Sequence, residues 1–314
     1  MSEKRVIAVL GATGNQGGGL VNAILEDPDG PFTVRALTRD AGSAKARALA
    51  ARGAEVVEAD LDDVDSLRRA FTGAHGAFVV TNFWESMSPR VEFAQASNAA
   101  RAAKDAGVEH AIWSTLEDTR PDLPLDDPRV PVLEESYTVP HFDAKAEADQ
   151  VFLDLDVPTT FLRTTLFWEA FLQGSGPMRG EDGRLVLSLP MADSPLAGIA
   201  AADIGRVALA IFTRGKEFIG ATVSIAGEHL TGVQLAEAFT EFYGEPVAYQ
   251  PLSFDVFRSL PIPAAAELGN MFQYYAEAAD VFTGDRDLVL VRSLYPDLQT
   301  FRVWLAGNKD ALTA

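Results

Sequence analysis

Residues 6–25 read VIAVLGATGNQGGGLVNAIL, an apolar run that enters a glycine-rich turn and leaves it in a helical pattern. The first three glycines, Gly11, Gly14 and Gly17, have the spacing GxxGxxG. Gly11 allows a tight turn, Gly14 lets a pyrophosphate approach the backbone, and Gly17 lets helix and strand pack closely. The helix N-terminus adds N–H groups and a partial positive charge. The stretch therefore predicts a dinucleotide-binding βα unit; the alternative is a strand-to-helix turn that holds no ligand.

Short apolar runs alternate with helical patterns through the first half of the chain, which is typical of βαβ units and a parallel sheet. The predicted strands are RVIAVLG (5–11), FTVRALTR (32–39), AEVVEAD (54–60), GAFVVTNF (76–83), HAIWSTLE (110–117) and PTTFLRT (158–164). The predicted fold class is α/β, a Rossmann-type doubly wound parallel sheet with a smaller α+β C-terminal lobe.

The regular alternation ends after about Val157, and the predicted boundary follows from it. Residues 1–156 are predicted as an NAD(P)-binding Rossmann domain and 157–314 as a smaller substrate or partner lobe, interleaved with the sheet. The lobe is predicted to contain the strands RLVLSLP (184–190) and ATVSIAG (221–227) and the helices 202–212, 231–243 and 264–279. Residues 117–140, with five prolines, are predicted as a long irregular loop.

Composition narrows the classes of function. The net charge of −19 argues against affinity for nucleic acid or for anionic membranes, because either would need a basic face. No apolar run approaches the roughly 20 residues that span a bilayer, so we expect a cytoplasmic protein with no membrane association. The chain has no cysteine, and its four histidines, at 75, 110, 141 and 229, form no HxxH pair. We therefore expect no metal site, and any redox sensitivity has to come through a bound cofactor.

The end of the second predicted strand indicates which dinucleotide is bound. An NAD site places a carboxylate there for the ribose hydroxyls, whereas an NADP site places an arginine. Here the strand leads into Arg39, which can pair with a 2′-phosphate, so NADP(H) is favoured and NAD(H) stays open. The alternative is a surface arginine paired with Asp40. Asp60, which closes the third strand, is predicted either near the adenine or as a cap of the helix that begins near Asp62.

Several strings together resemble the NmrA-like proteins, a branch of the atypical short-chain dehydrogenase/reductases. They are GATGNQG (11–17), TR (38–39), TNFWES (81–86), SLPMADSPLAGIAAADIG (188–205) and ELGNMFQYYA (267–276), so the resemblance covers nearly the whole chain. It is closest to the subgroup of NADPH sensors that respond to the NADPH/NADP ratio. The wider family includes isoflavone-reductase-like enzymes, quinone and dye reductases, and a transcriptional corepressor, so fold and cofactor are better implied than activity.

The resemblance also implies cofactor-binding residues. It assigns the turn to the pyrophosphate, Arg39 to the 2′-phosphate, and further positions to the adenine, the ribose and the nicotinamide. The full set is Gly11, Ala12, Thr13, Gly14, Asn15, Gln16, Gly17, Arg39, Asp60, Leu61, Thr81, Asn82, Phe83, Lys145, Phe167, Trp168, Glu169 and Ala170. Two departures matter: Ala41-Gly42-Ser43 replaces further basic residues of the sensors, and Ala170 replaces an asparagine.

The stretch His141-Phe-Asp-Ala-Lys145 bears on catalysis. Short-chain dehydrogenases use Tyr-x-x-x-Lys, in which the lysine, one helical turn away, lowers the pKa of the phenol. Here histidine takes the tyrosine's place, and Ser114 or Thr115 could supply a hydroxyl partner. His141 is predicted as a general acid, a polar pocket-lining residue or a residue that only begins a helix. Lys145 is predicted as a cofactor ligand and a candidate catalytic residue, or as a solvated lysine paired with Asp149.

Two functions follow, and the sequence leaves the choice open. In the first, the protein is a cofactor-ratio sensor, in which NADPH orders residues 83–89 and 117–140 and so changes a surface for a partner protein or a second copy. In the second, it is a reductase that passes hydride from NADPH to a quinone, dye or enone. Aromatic residues of the smaller lobe fit a small apolar substrate or an ordinary core; they are Phe167, Trp168, Phe171, Phe272, Tyr274 and Tyr275. Both a monomer and a homodimer are compatible with the sequence.

Overall fold

A computed structural model describes residues 4–313 of the chain. The polypeptide forms two compact units, and each unit is assembled from three segments. The first unit contains residues 1–118, 141–164 and 201–223; the second contains residues 119–140, 165–200 and 224–314.

The first unit is organised around a seven-stranded sheet in which β1 to β6 pair in parallel. Its strands are β1 (Arg5–Val9), β2 (Phe32–Thr38), β3 (Glu55–Glu58), β4 (Gly76–Val79), β5 (His110–Thr115), β6 (Thr159–Arg163) and β11 (Thr222–Ser224). They lie in the order β11-β6-β5-β4-β1-β2-β3. Strands β4 and β5 are buried along their whole length, as expected for central strands covered on both faces.

Helices connect these strands. They are α1 (Asn15–Leu25), α2 (Ala44–Ala51), α3 (Val64–Phe71), α4 (Phe83–Ser86), α5 (Pro89–Asp105), α6 (Pro140–Asp154) and α7 (Ala201–Arg214). Side-chain caps begin three of them: Ser43 accepts a hydrogen bond from Ala46 N, Asp63 from Ser66 N, and Ser88 from Val91 N. The alanine-rich face of α5 contributes Ala96, Ala99 and Ala103 to the core, which lets this helix pack closely on the sheet.

Helices α1 and α7 approach so closely that glycine is required on both. A Cβ at Gly19 would lie 2.8 Å from the carbonyl oxygen of Ala202, and one at Gly205 would lie 2.0 Å from Leu20 N. Any side chain at either position would therefore separate the two helices.

The second unit has two small sheets and a set of helices. Strands β7 (Leu166–Phe167), β10 (Leu196–Ile199) and β12 (Glu228–Leu230) form one sheet, and β8 (Met178–Arg179), β9 (Leu185–Leu187) and β13 (Val247–Tyr249) form the other. The helices are α8 (Gly232–Tyr243), α9 (Phe254–Arg258), α10 (Ala265–Glu277), α11 (Ala279–Gly284), α12 (Leu288–Leu294), α13 (Phe301–Gly307) and α14 (Lys309–Thr313). An aromatic core of Trp168, Phe171, Phe239, Phe301 and Trp304 holds this unit together.

The predicted α/β fold with a Rossmann-type parallel sheet and a smaller C-terminal lobe is confirmed. All six predicted strands form, and the three later helices begin and end within two residues of their predicted bounds. Two elements predicted for the smaller lobe lie elsewhere. The helix predicted at 202–212 is α7 of the first unit. In the run ATVSIAG, Thr222–Ser224 forms the edge strand β11 next to β6, where Phe161 N donates to Ala221 O at 2.9 Å. So short a run carries no local signal for which sheet it joins.

Residues 117–139 form the irregular loop that was predicted over 117–140, and its part from Thr119 onward is anchored within the second unit. The Asn270 amide donates to the carbonyls of Pro131 at 2.9 Å and Thr138 at 2.7 Å, and the Thr138 hydroxyl donates to Leu123 O at 2.9 Å. The loop is therefore a structured part of that unit. No helix among residues 4–313 is long and apolar enough to cross a membrane.

Candidate functional site

The glycine turn lies between β1 and α1. Gly11 has φ +62°, in the left-handed region, and a Cβ there would lie 2.9 Å from Val80 Cγ1. Helix α1 begins after Gly14, and no side chain caps its N-terminus. Because Gly11, Gly14 and Asn15 are all exposed, the first N–H groups of α1 are accessible to an anion.

Gly17 holds the turn against the strand. A Cβ at this position would lie 2.5 Å from the carbonyl oxygens of both Leu10 and Gly11, a distance that no real side chain tolerates. The third glycine of the motif is thus required by close packing of α1 on the end of β1, as the sequence predicts. Gln16, one residue earlier, accepts a hydrogen bond from the Ser114 hydroxyl at 2.7 Å, which joins the turn to the end of β5.

Arg39 follows β2, the strand next to β1, so it lies at the same edge of the sheet as the turn. Its guanidinium is exposed and forms a two-pronged ion pair with Glu85 of α4, with Nη1–Oε2 at 2.7 Å and Nη2–Oε1 at 3.0 Å. The Asn82 amide also donates to Glu85 Oε1, at 3.1 Å. The alternative pairing with Asp40 is wrong, since the Asp40 carboxylate instead accepts from Gly42 N.

Asp60 and Leu61 lie in the turn between β3 and α3. Asp60 is exposed, and its carboxylate accepts a hydrogen bond from Asp62 N at 3.0 Å. The alternative in which Asp60 caps the following helix is wrong, because Asp63 is the N-cap of α3. Leu61 is held by its carbonyl, which accepts from the Asn98 amide at 2.9 Å.

Thr81 and Lys145 meet a buried glutamate that the sequence analysis did not identify. Lys145 Nζ lies 2.7 Å from Glu92 Oε1 and donates to the Thr81 hydroxyl at 2.7 Å. The same hydroxyl donates to Glu92 Oε1 at 2.5 Å, which closes a triangle of three polar groups. The other oxygen, Glu92 Oε2, is buried and has no hydrogen-bond partner among the described residues. The alternative of a solvated Lys145 paired with Asp149 is wrong.

A pattern in the sequence could have revealed Glu92. It lies on the stripe of α5 that continues through Ala96, Ala99 and Ala103, and all four residues are buried. A carboxylate on the apolar stripe of a helix needs a cationic partner, because an isolated buried charge is very costly. The position of that partner, however, depends on how α5 and α6 pack.

Asp149, one helical turn after Lys145, belongs to a separate polar group. Its Oδ1 accepts hydrogen bonds from Trp113 Nε1 at 2.8 Å and from the Thr115 hydroxyl at 2.6 Å. Burial raises the pKa of the Asp149 carboxyl to about 6, although both hydrogen bonds and the charges of Arg163 and Lys145 oppose the rise. The Lys145 ammonium lies 4.7 Å from the centre of the Trp113 ring. Thr115 is therefore engaged with Asp149.

His141 lies at the start of α6 among aromatic rings. Its ring centre is 4.8 Å from that of Trp84, 4.9 Å from Phe142 and 5.8 Å from Phe83. Trp84 is partly exposed, while His141 and Phe83 are buried. The imidazole thus lines an aromatic surface beside the TNFWES segment, and its role in proton transfer stays a prediction.

Residues 167–170 belong to the second unit. Phe167 ends β7, and Trp168 begins a 3-10 helix that extends to Gln173. The Trp168 ring packs against Phe301 and Trp304, and Glu169 accepts a hydrogen bond from Trp304 Nε1 at 3.2 Å. Phe171, Phe272, Tyr274 and Tyr275 are also buried. Apart from Phe167, which is partly exposed, the aromatic residues considered for a substrate therefore belong to the core of the second unit. A cofactor role for residues 167–170 stays a prediction.

The first unit thus gathers most of the predicted residues at the carboxyl ends of its strands. The turn follows β1, Arg39 follows β2, residues 81–83 follow β4, and Ser114 is the next-to-last residue of β5. In open α/β sheets, ligands bind at this edge. Among residues 4–313, no group of three or more His, Cys, Asp or Glu residues is arranged to hold a metal ion.

The NmrA-like family matches residues 3–305, so the chain belongs to this family. Over 260 residues it is 31% identical to the NmrA-like family domain-containing oxidoreductase malD of Malbranchea aurantiaca, covering 78% of this chain and 75% of that protein. Over 286 residues it is 29% identical to the NmrA-like family domain-containing oxidoreductase FrzB of Cladobotryum sp, covering 86% of this chain and 83% of that protein.

Solved structures share the fold over nearly the whole chain. NmrA, a negative transcriptional regulator, in complex with NADP, matches with a TM-score of 0.75 and 23% identity, covering 97% of this chain and 95% of that one. The Citrobacter sp. triphenylmethane reductase complexed with NADP(H) matches with a TM-score of 0.73 and 22% identity, covering 96% and 99%. One fold thus serves a regulator and a reductase.

Proposed function

We propose that this protein binds NADP(H) through the glycine turn and Arg39, and that its main role is to sense the state of the nicotinamide pool. One observation carries the proposal: the turn and Arg39 follow two adjacent parallel strands, β1 and β2, at one edge of the sheet. This places an anion-binding helix N-terminus beside a cation, the arrangement that a dinucleotide with a 2′-phosphate requires.

The residues present fit such a cofactor. Atoms of the protein would clash with a Cβ at Gly11 and Gly17, and no side chain caps α1. The accessible N–H groups of α1 would hold the pyrophosphate, Arg39 the 2′-phosphate, and Lys145 with Thr81 the nicotinamide ribose. A bound NADPH supplies a hydride. The chain supplies binding, orientation and charge.

The groups around Lys145 favour sensing over dehydrogenase catalysis. The sequence has no tyrosine four residues before Lys145, so the phenol that donates a proton in Tyr-x-x-x-Lys enzymes is missing. Glu92 neutralises the Lys145 ammonium at 2.7 Å, which reduces the electrostatic effect of the lysine on any neighbouring acid. His141 packs against the tilted rings of Phe83 and Trp84 in α4, so a change in α4 would reach it directly.

A second candidate function is a reductase of a quinone, dye or other small apolar acceptor. The names of the relatives malD and FrzB, both oxidoreductases, favour it, as does the triphenylmethane reductase among the solved structures. Hydride transfer itself requires mainly that donor and acceptor be held close and aligned. A reductase of this kind could work without the missing tyrosine.

The cofactor assignment is tested by Arg39→Ala. We expect NADPH binding to weaken by about 1.5–3 kcal/mol, the value of hydrogen bonds to a charged group, with NADH binding nearly unchanged. The matched control is Arg302→Ala, because Arg302 forms another exposed two-pronged pair, with Glu241, in the second unit. Titration of each cofactor by calorimetry measures both variants. Equal losses for NADPH and NADH would refute the role of Arg39.

The choice between sensor and reductase needs turnover measurements. NADPH oxidation is followed by the loss of absorbance of the reduced nicotinamide, against a panel of quinones and triphenylmethane dyes. Steady turnover that Lys145→Ala abolishes, while NADPH still binds, would establish the reductase. Tight NADPH binding with no oxidation of any acceptor would leave the sensor as the better account.

A further inference from the structure

The ion pair of Arg39 with Glu85 uses an edge of the guanidinium, formed by its two terminal nitrogens, that can also bind a phosphate. The two terminal nitrogens each contact one carboxylate oxygen, at 2.7 and 3.0 Å, which is the parallel geometry in which arginine also binds phosphate. The Asn82 amide holds the same carboxylate at 3.1 Å. Glu85 is therefore oriented toward Arg39 by a second contact and mimics the anion for which Arg39 is proposed.

A 2′-phosphate cannot bind Arg39 without a cost from Glu85. If the phosphate takes the two terminal nitrogens, the carboxylate loses its partner. If it takes the remaining N–H donors instead, a phosphate and a carboxylate lie on either side of one cation and repel each other. In either case Glu85 weakens the binding of NADP(H). NAD(H) has no 2′-phosphate, so its binding leaves the pair intact.

We propose that Glu85 is a specificity-determining residue that competes with the 2′-phosphate for Arg39, so that NADP(H), but not NAD(H), releases α4. This inference rests on the proposed function, since it takes Arg39 as the 2′-phosphate ligand. It also predicts that the chain discriminates between the two cofactors less than Arg39 alone would allow, because Glu85 opposes part of the gain from the 2′-phosphate.

Release of Glu85 would affect His141, a candidate catalytic residue, through helix α4. This helix has only four residues, Phe83–Ser86, and it ends at Met87 with φ +53°, a left-handed conformation that is unfavourable for methionine. Trp84 and Phe83 pack against His141, and their ring centres lie 4.8 and 5.8 Å, respectively, from the centre of the His141 ring. A short helix has few contacts of its own, so loss of the Arg39–Glu85 pair changes the restraint on the rings beside His141.

The affinity test uses Glu85→Gln, which removes the charge and keeps the shape. We expect NADPH to bind about two- to fivefold more tightly, the range for an exposed ion pair, while NADH affinity stays the same. Glu241→Gln is the matched control and should change neither affinity, because Glu241 forms the equivalent exposed pair in the second unit. A Glu85→Gln variant with an unchanged ratio of NADPH to NADH affinity would overturn the inference.

The double variant Arg39→Ala/Glu85→Gln separates this inference from the proposed function. If Glu85 acts by occupying the Arg39 guanidinium, the gain from Glu85→Gln falls when Arg39 is absent, because only the repulsion between carboxylate and phosphate is left to relieve. A gain of the same size without Arg39 would overturn the competition. By contrast, an Arg39→Ala variant that binds NADPH as well as the wild type would overturn the role of Arg39 and thus the proposed function itself.

A structural readout tests the release of α4 without any assay of turnover. Hydrogen exchange of residues 83–87 is compared at saturating NADP⁺ and saturating NAD⁺. In the wild type we expect the two states to differ in this segment, and in Glu85→Gln we expect the difference to vanish, because no pair is left to break. Equal hydrogen-exchange rates of residues 83–87 with NADP⁺ and with NAD⁺ in the wild type would contradict the release of α4.

Discussion

Two ion pairs of the first unit differ in how far solvent reaches them. One joins α4 to Arg39 and the other joins α5 to Lys145, and both of these residues are predicted to bind the cofactor. The Arg39–Glu85 pair is open to solvent, with side-chain exposures of 66% and 50%. The Lys145–Glu92 pair is enclosed, with exposures of 10% and 1%. Both are close contacts, yet only the first can exchange one partner for another anion at low cost.

The difference follows from desolvation. In water an ion pair is worth little, because each charge is almost as well solvated when it is alone, so Arg39 can change partners. In the interior an unpaired charge has no such alternative, and removing one partner leaves the other uncompensated. We infer that the end of the site near Arg39 is built to respond to a ligand, whereas the end near Lys145 is fixed in advance.

The largest expected effect is on stability at the buried pair. Glu92→Ala leaves the Lys145 ammonium buried without its counter-charge and also removes the acceptor of the Thr81 hydroxyl. We expect the free energy of unfolding to fall by about 3 kcal/mol, measured by urea denaturation at neutral pH. The double variant Lys145→Met/Glu92→Leu should recover most of this loss, because neither charge of the pair is then left buried without its partner. A loss below about 1 kcal/mol in Glu92→Ala would mean that the pair is solvated and the contrast is false.

Asp149, a second carboxylate near Lys145, is expected to affect stability less than Glu92 and more than Glu85. Burial raises the pKa of Asp149 from 3.8 to about 6, so the folded state keeps this proton to a higher pH than the unfolded state does. Stability therefore falls as pH rises from about 4 to about 6, and the deficit persists above pH 6. Asp149→Asn keeps an oxygen that accepts from Trp113 and Thr115, and it removes this dependence.

We accordingly expect Asp149→Asn to be more stable than the wild type by about 2–3 kcal/mol above pH 6 and equal to it below about pH 4. Urea denaturation at several pH values measures the difference. The conservative change Glu147→Gln, also on α6, serves as a control for the loss of a negative charge from this helix. A wild type and an Asp149→Asn variant with parallel pH profiles would show that the Asp149 pKa is ordinary.

The smallest effect is expected at the exposed pair. Glu85→Gln should change the free energy of unfolding by less than about 1 kcal/mol, because the Arg39–Glu85 pair is solvated. The same denaturation experiment as for Glu92→Ala measures it, and the two results together define the contrast. A loss at Glu85 as large as that at Glu92 would place Arg39 in a structural role and remove the reason to regard the pair as exchangeable.

The sequence predicted what depends on neighbouring residues. The alternation of apolar runs with helical patterns predicted the parallel sheet. The GxxGxxG spacing predicted a turn, and the structure requires glycine at its first and third positions, because a Cβ there would lie 2.9 and 2.5 Å from other atoms. Arg39 was found because it directly follows a strand. In each case the signal is local, since the conformation of a turn and the alternation of strands with helices depend on residues close together in the chain.

Tertiary structure alone decided which charges meet. Glu85 pairs with Arg39, and Glu92 pairs with Lys145; the residues of each pair are far apart in the sequence, and no periodicity links them. Tertiary structure likewise placed Thr222–Ser224 in the large sheet. The difference between an exchangeable and a fixed ion pair was likewise invisible in the sequence. It depends on how much water reaches each pair, and that is set only when the helices α4, α5 and α6 pack against the end of the sheet.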